Sequence, residues 1–202
     1  MLRRMTRYPV APLFAALAVA ATPVLAPSVA WADGTIKQPG EHPDYHVEIE
    51  PHGILAWPDW YGGFGYYGFF GVGGGARFSI PLCKNCFIPK INNNVAISFG
   101  ADLAIFPFYT NNAGYAASYI YLPIAMQWNF FVAKKWSVGP EFGFSPVIGV
   151  FYDYGQCFGG CHNWWFAPVF NAVARYHFND RVALTMRIGY PEFANIGVSF
   201  FL

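Results

Sequence analysis

The chain has 202 residues, a length that suits a single domain. Hydrophobic residues make up 55% and charged residues only 11%, too apolar for a surface met by water alone, where about a quarter of residues are charged. A formal net charge of +1 provides no basic field or acidic tail, which excludes nucleic acid as a partner.

Residues 1–32 read as a secretory signal peptide. Arg3, Arg4 and Arg7 precede an apolar stretch through Ala20, and Ala30-Trp31-Ala32 supplies small residues before Asp33. Pro23 and Pro27 cut that stretch below the roughly 20 residues a spanning helix needs. No cysteine follows it to accept lipid. Residues 33–45, DGTIKQPGEHPDY, are polar and carry Pro39, Gly40 and Pro43, which predicts a flexible leader with no core of its own.

From residue 46 the pattern has period two. In 94–108, Val95, Ile97, Phe99, Leu103 and Ile105 alternate with Asn94, Ala96, Ser98, Gly100, Asp102 and Ala104. In 119–132, Ile120, Leu122, Ile124, Met126, Trp128 and Phe130 alternate with Tyr121, Ala125, Gln127 and Asn129. In 181–190, Val182, Leu184, Met186 and Ile188 oppose Arg181, Ala183, Thr185 and Arg187. Such alternation marks strands, because successive side chains point to opposite faces. Further strands are placed at 46–57, 68–82, 136–151, 164–178 and 192–202, making eight. Pro123, Pro140, Pro146 and Pro168 fall inside strands, where a missing N–H predicts bulges or kinks. No later segment offers about 18 consecutive apolar residues, so helices are not expected to cross a membrane.

Charge placement decides which face meets lipid. Glu48, Glu50, Arg77, Asp102, Glu141, Arg175 and Arg187 all share the face of the small residues, and none falls on the large apolar face. That face suits the narrow interior of an eight-stranded antiparallel up-and-down transmembrane barrel over residues 46–202, with the apolar face in lipid. Connection lengths alternate accordingly. Starting the first strand in the periplasm gives periplasmic connections at 83–92, 133–135 and 179–180. The external ones are then 58–67, 109–118, 152–163 and a short one near Pro191. Trp57, Trp60, Tyr61, Tyr66, Tyr67, Trp164 and Trp165 would form an aromatic girdle at the external ends.

The C-terminal stretch NIGVSFFL resembles the terminal strand of outer-membrane barrels, with Asn195, Gly197 and Phe200 matching its polar, glycine and aromatic positions. The family usually ends in Phe, whereas this chain ends in Leu202. The mature chain resembles the small OmpA- and OmpX-like barrels in architecture. That resemblance implies an outer-membrane location, recognition of the last strand by the barrel-assembly machinery, outer-membrane lipid as surroundings and a monomer.

Cys83 and Cys86, and Cys157 and Cys161, are spaced to staple two separate turns in an oxidising compartment. A membrane about 30 Å thick would separate the pairs, so one shared zinc site is excluded. No metal or cofactor is expected. His42, His46 and His52 are spread over too long a segment for one compact site, and neither His162 nor His177 has a neighbouring Ser in sequence to act as a nucleophile. Three functional classes remain: a structural or envelope-interaction barrel, a narrow solute channel, and a lipid-modifying enzyme. The interior charges pair on paper as an occluding network, and no catalytic constellation is visible, which favours the first and a protein that is not an enzyme.

Overall fold

Alternating side chains build one wall only if each strand finds a partner on both edges, and closure removes the last free edge. The computed structural model describes residues 35–57, 70–110, 113–152 and 163–202. Its strands are β1 (Glu48–Ala56), β2 (Gly71–Lys84), β3 (Asn93–Thr110), β4 (Ala113–Tyr121), β5 (Ile124–Ala133), β6 (Trp136–Tyr152), β7 (Asn163–Asn179), β8 (Val182–Tyr190) and β9 (Glu192–Phe201). β4 and β5 are one wall position interrupted at Leu122-Pro123, since both pair with β3 on one side and β6 on the other. Every pairing is antiparallel, and β1 joins both β2 and β9, with Ile49 opposite Phe200 and His52 opposite Gly197. The result is a closed eight-stranded antiparallel barrel. No helix among the described residues is long and apolar enough to cross a membrane.

The expected disruption by proline occurs only at Pro123. Leu122 N–H donates to Pro146 O at 2.9 Å, so Pro146 turns its missing donor toward the gap between β4 and β5. Pro140 stands where the β5–β6 pairing omits the rung opposite Trp128. Pro168 lies beyond the last β7–β8 rung at Phe170 and Tyr190. The β6–β7 register runs unshifted through all three. Each proline sits where no ladder bond is asked of it.

The strands overrun the expected connection at 109–118. β3 and β4 pair to Thr110 and Ala113, leaving only Asn111 and Asn112 between them. The alternation is weak there because small residues occupy both parities, so the sequence pattern faded before the ladder did. β1, β8 and β9, of nine to ten residues, just reach the length of about 9–11 that crosses a bilayer when tilted. β2, β3, β6 and β7 are longer, at 14 to 18 residues.

Both the N-terminal approach to β1 and the C-terminus lie at one mouth, called here the terminal end. Residues 35–45, read from sequence as a leader without a core, lie against this mouth. Thr35–Lys37 forms a turn of 3-10 helix. Asn92 N–H donates to Ile36 O at 2.8 Å, and His46 N–H donates to Leu202 O at 2.7 Å. Tyr45 is buried with Ala183 and Phe201 in a small apolar cluster. The backbone polar groups of the segment find partners on the barrel, which is why a polar stretch can order there.

Candidate functional site

The seven charged residues singled out from the sequence all lie on the lumen side and are buried, from 0% to 2% exposed. Period two puts them there: Glu48 and Glu50 on β1, Arg175 on β7 and Arg187 on β8 share parity with the small residues around them. Burying an ionised group without partners is prohibitive, so they must meet. Arg175 reaches Glu48 with Nε–Oε1 at 3.1 Å and a second nitrogen at 3.2 Å from Oε2, and it also donates to Asn129 Oδ1 at 2.6 Å and Gln127 Oε1 at 2.9 Å. Arg187 donates to Glu50 and, at 3.1 Å, to Glu141. Arg77 donates to Glu141 and approaches Asp102 at 3.5 Å. Ser199 links the two halves, donating to Glu48 Oε1 at 2.6 Å.

Two members of this network were not singled out as charges. His52 was set aside as an ordinary histidine, yet its Nδ1 lies 3.2 Å from Glu50 O and its Nε2 2.8 Å from Asp102 Oδ1. Both ring nitrogens thus meet oxygens of the charged layer. Glu192, at the start of β9, lies 3.6 Å from Arg77 and accepts from Asn195 at 2.6 Å. The three guanidiniums therefore stand among five buried carboxyls, with the His52 ring between Glu50 and Asp102. The parity of His52 with Glu48 and Glu50 was a readable signal for it. Glu192 falls in the expected strand 192–202 with the parity of the outward Ile196 and Phe200, and the register shift that pairs it with Ala56 turns it inward.

Toward the far mouth the interior changes character. Ile54, Ala56, Ala104, Phe106, Tyr119, Tyr121, Val147 and Ala167 form a buried apolar cluster, with Trp165 packed against it. Phe106 and Tyr119 meet edge to face at 5.2 Å, and Tyr119 and Trp165 at 5.6 Å. The small-residue interior read from sequence therefore describes only part of the lumen. Trp165, assigned to the girdle, turns inward, whereas Trp57 and Trp164 remain exposed at 45% and 66%. Trp60, Tyr61, Tyr66 and Tyr67 lie outside the described residues. Outside the barrel, Val72, Leu103, Phe144, Phe170, Ile188 and Ile196 are 44% to 62% exposed.

A closed sheet with charges inside and large apolar residues outside satisfies every backbone group internally and can stand only in lipid. The chain is a small transmembrane β-barrel. No family model matches its sequence, and no curated protein matches it. Among solved structures, the barrel is similar to the crystal structure of Ail, the attachment invasion locus protein of Yersinia pestis, at 11% identity and a TM-score of 0.49, covering 79% of this chain and 98% of that one. A crystal structure of Ail with the heparin analogue sucrose octasulfate aligns at 11% identity and a TM-score of 0.45, covering 77% and 95%. The backbone structure of Ail in a phospholipid bilayer nanodisc aligns at 9% identity and a TM-score of 0.44, covering 79% and 100%.

At the terminal end of the barrel, Cys83 and Cys86 are paired as a disulfide with Cα atoms 5.9 Å apart, while Cys157 and Cys161 lie outside the described residues. The two residues enclosed by that pair both touch the segment before β1. Lys84 Nζ lies 2.6 Å from Asp44 Oδ2, and Asn85 Oδ1 accepts from Gly40 N–H at 3.1 Å. Lys84 holds the Asp44 carboxyl below its usual range. Burial lowers His42, which stacks on Phe131 with centroids 4.8 Å apart, and burial raises Tyr45. Of the proposed assembly residues, Asn195 and Gly197 face the lumen, and Phe200 and Leu202 face outward.

A Ser–His pair does exist, across strands: Ser137 Oγ lies 2.9 Å from His177 Nε2. His177 Nδ1 has no partner among the described residues, so no carboxylate orients the ring as a general base requires. Both residues are buried inside the barrel, away from the lipid face. Among the described residues no group of three His, Cys, Asp or Glu is placed to hold a metal ion.

Proposed function

We propose that this protein is a non-conducting outer-membrane barrel with a structural or envelope-interaction role rather than an enzyme. In this reading residues 1–32 direct export and are removed, and the last strand, with Asn195, Gly197, Phe200 and Leu202, is read by the assembly machinery. The barrel then works as a monomer, with its terminal end in the periplasm. The observation that carries the reading is the buried, mutually paired set of Glu48, Glu50, Arg77, Asp102, Glu141, Arg175 and Arg187. Charges that satisfy one another across the lumen occupy the space a solute would need, and their carboxylates are unavailable for chemistry on lipid. The longest connections, 57–70 and 153–162, are then the parts presented to the cell exterior.

Planar-bilayer recording of purified, refolded protein tests the closed lumen. We expect silence at voltages where porins pass current; discrete openings of the wild-type protein would remove the reading in favour of a narrow channel. Lipid mass profiles of cells with and without the protein test the enzyme alternative, and a product lipid that appears only with the protein would establish it.

A further inference from the structure

The terminal end carries a cavity of about 620 Å³ between the segment before β1 and the β5–β6 and β7–β8 turns. Its lining includes His42 and His177, with Lys134, Lys135, Glu41 and Asp180 also on its walls. Two ring nitrogens of these lining residues, His42 Nε2 and His177 Nδ1, are buried and have no hydrogen-bond partner among the described residues, and His177 is 6% exposed. Because His42 Nδ1–H donates to Pro43 O at 3.1 Å, its Nε2 presents a lone pair and calls for a donor. The lysines supply positive charge, and Glu41 and Asp180 supply negative charge. The mouth also stands at the lipid boundary: Trp136 and Phe178 are exposed, Tyr176 packs edge-on against both, and Lys135 Nζ lies 5.9 Å from the Tyr176 ring centroid. Rings and lysines of this kind mark the headgroup level.

We propose that this cavity seats the headgroup of a phosphoethanolamine lipid, with Lys134 and Lys135 taking the phosphate and His42 Nε2, Glu41 and Asp180 taking the ammonium. A quaternary choline has no N–H to give His42, and a glycerol headgroup has no cation for the carboxylates, so the donor set selects ethanolamine. That the lipid comes from the periplasmic leaflet rests on the orientation proposed above.

Mature protein in nanodiscs containing equal phosphatidylethanolamine, phosphatidylglycerol and phosphatidylcholine tests the assignment by native mass spectrometry of retained lipid. Symmetric discs make the result independent of orientation, so a failure here leaves the functional reading intact. We expect phosphatidylethanolamine to be retained preferentially. Lys134→Ala with Lys135→Ala should cut that retention by about tenfold, the scale of a lost charge-assisted contact. His42→Phe, which keeps the stack on Phe131, should erase the preference over phosphatidylcholine. Equal retention of the three lipids by the wild type, or a preference untouched by both variants, would overturn the proposal. Free phosphoethanolamine titrated into detergent-solubilised protein supplies the other arm: binding as tight as that of the lipid would assign the cavity to a soluble phosphate ester instead.

Discussion

Glu141 accepts hydrogen bonds from Arg77, Arg187, Asn171 and Gln127, more than any other carboxylate in the lumen. Glu141→Gln keeps the shape but leaves two buried guanidiniums facing an amide. Breaking a buried pair from one side costs about 3–5 kcal/mol, and we expect a loss of that size in urea unfolding of the refolded protein. Glu192→Gln tests the opposite case. Its carboxyl accepts from Asn195 at 2.6 Å and stands 3.6 Å from Arg77, and glutamine keeps an acceptor for Asn195, so the change in stability should stay within about 1 kcal/mol. Equal losses for the two variants would show that Glu192 is tied into the ion pairs as firmly as Glu141. Gly197→Ala probes closure rather than charge. A Cβ at Gly197 would stand 2.6 Å from both His52 Cβ and Pro51 O and 3.1 Å from Glu50 Oε1. Overpacking of that kind costs about 1–3 kcal/mol, read as a lower temperature at which the compact gel band converts to the unfolded one.

At the scale of elements, the strands were legible and their accessories were not. Large-versus-small alternation exposes lipid and lumen faces directly, which is why β5 and β8 follow from parity alone. Prolines misled because the rule for a central strand ignores which way the missing N–H points; Pro140, Pro146 and Pro168 all point at gaps. The segment before β1 misled for a different reason. Its order comes from partners far away in sequence, such as Asn92, Phe131 and Leu202, and local composition cannot report them. Two predictions concern this segment. Because Lys84 and Asn85, enclosed by the Cys83–Cys86 pair, hold Asp44 and Gly40, reduction should loosen it, seen as faster hydrogen exchange at Gly40 with no change in β8. Acid should act through His42. Its folded pKa lies below the ordinary value of about 6.5, so the unfolded segment binds protons more readily. Docking is therefore fully supported above that value and weakens as pH falls through it. Exchange of this segment should rise below about pH 6.5 in the wild type and rise less in His42→Phe.

At the scale of the whole molecule the lumen holds two layers, one of buried ion pairs and one of apolar packing toward the far mouth. The charged layer was readable because ionisable residues stand out against a strand pattern. The apolar layer was not, because Phe106, Tyr119 and Tyr121 are the same residue types that line the lipid face. On the non-conducting reading proposed above the two layers act in series, which makes a specific prediction about conductance. Arg187→Gln with Glu50→Gln removes one ion pair without leaving a net charge, and Phe106→Ala with Tyr119→Ala opens the apolar cluster. Each double variant should stay silent in a planar bilayer, since the other layer still seals the barrel, and only the combined variant should show discrete openings. Hydrophobic constrictions gate by excluding water, so conduction needs the apolar layer wetted as well as the charges rearranged. Openings in the charge variant alone would mean that the far cluster does not hold the lumen shut, and the barrel would then have a single gate built from its ion pairs.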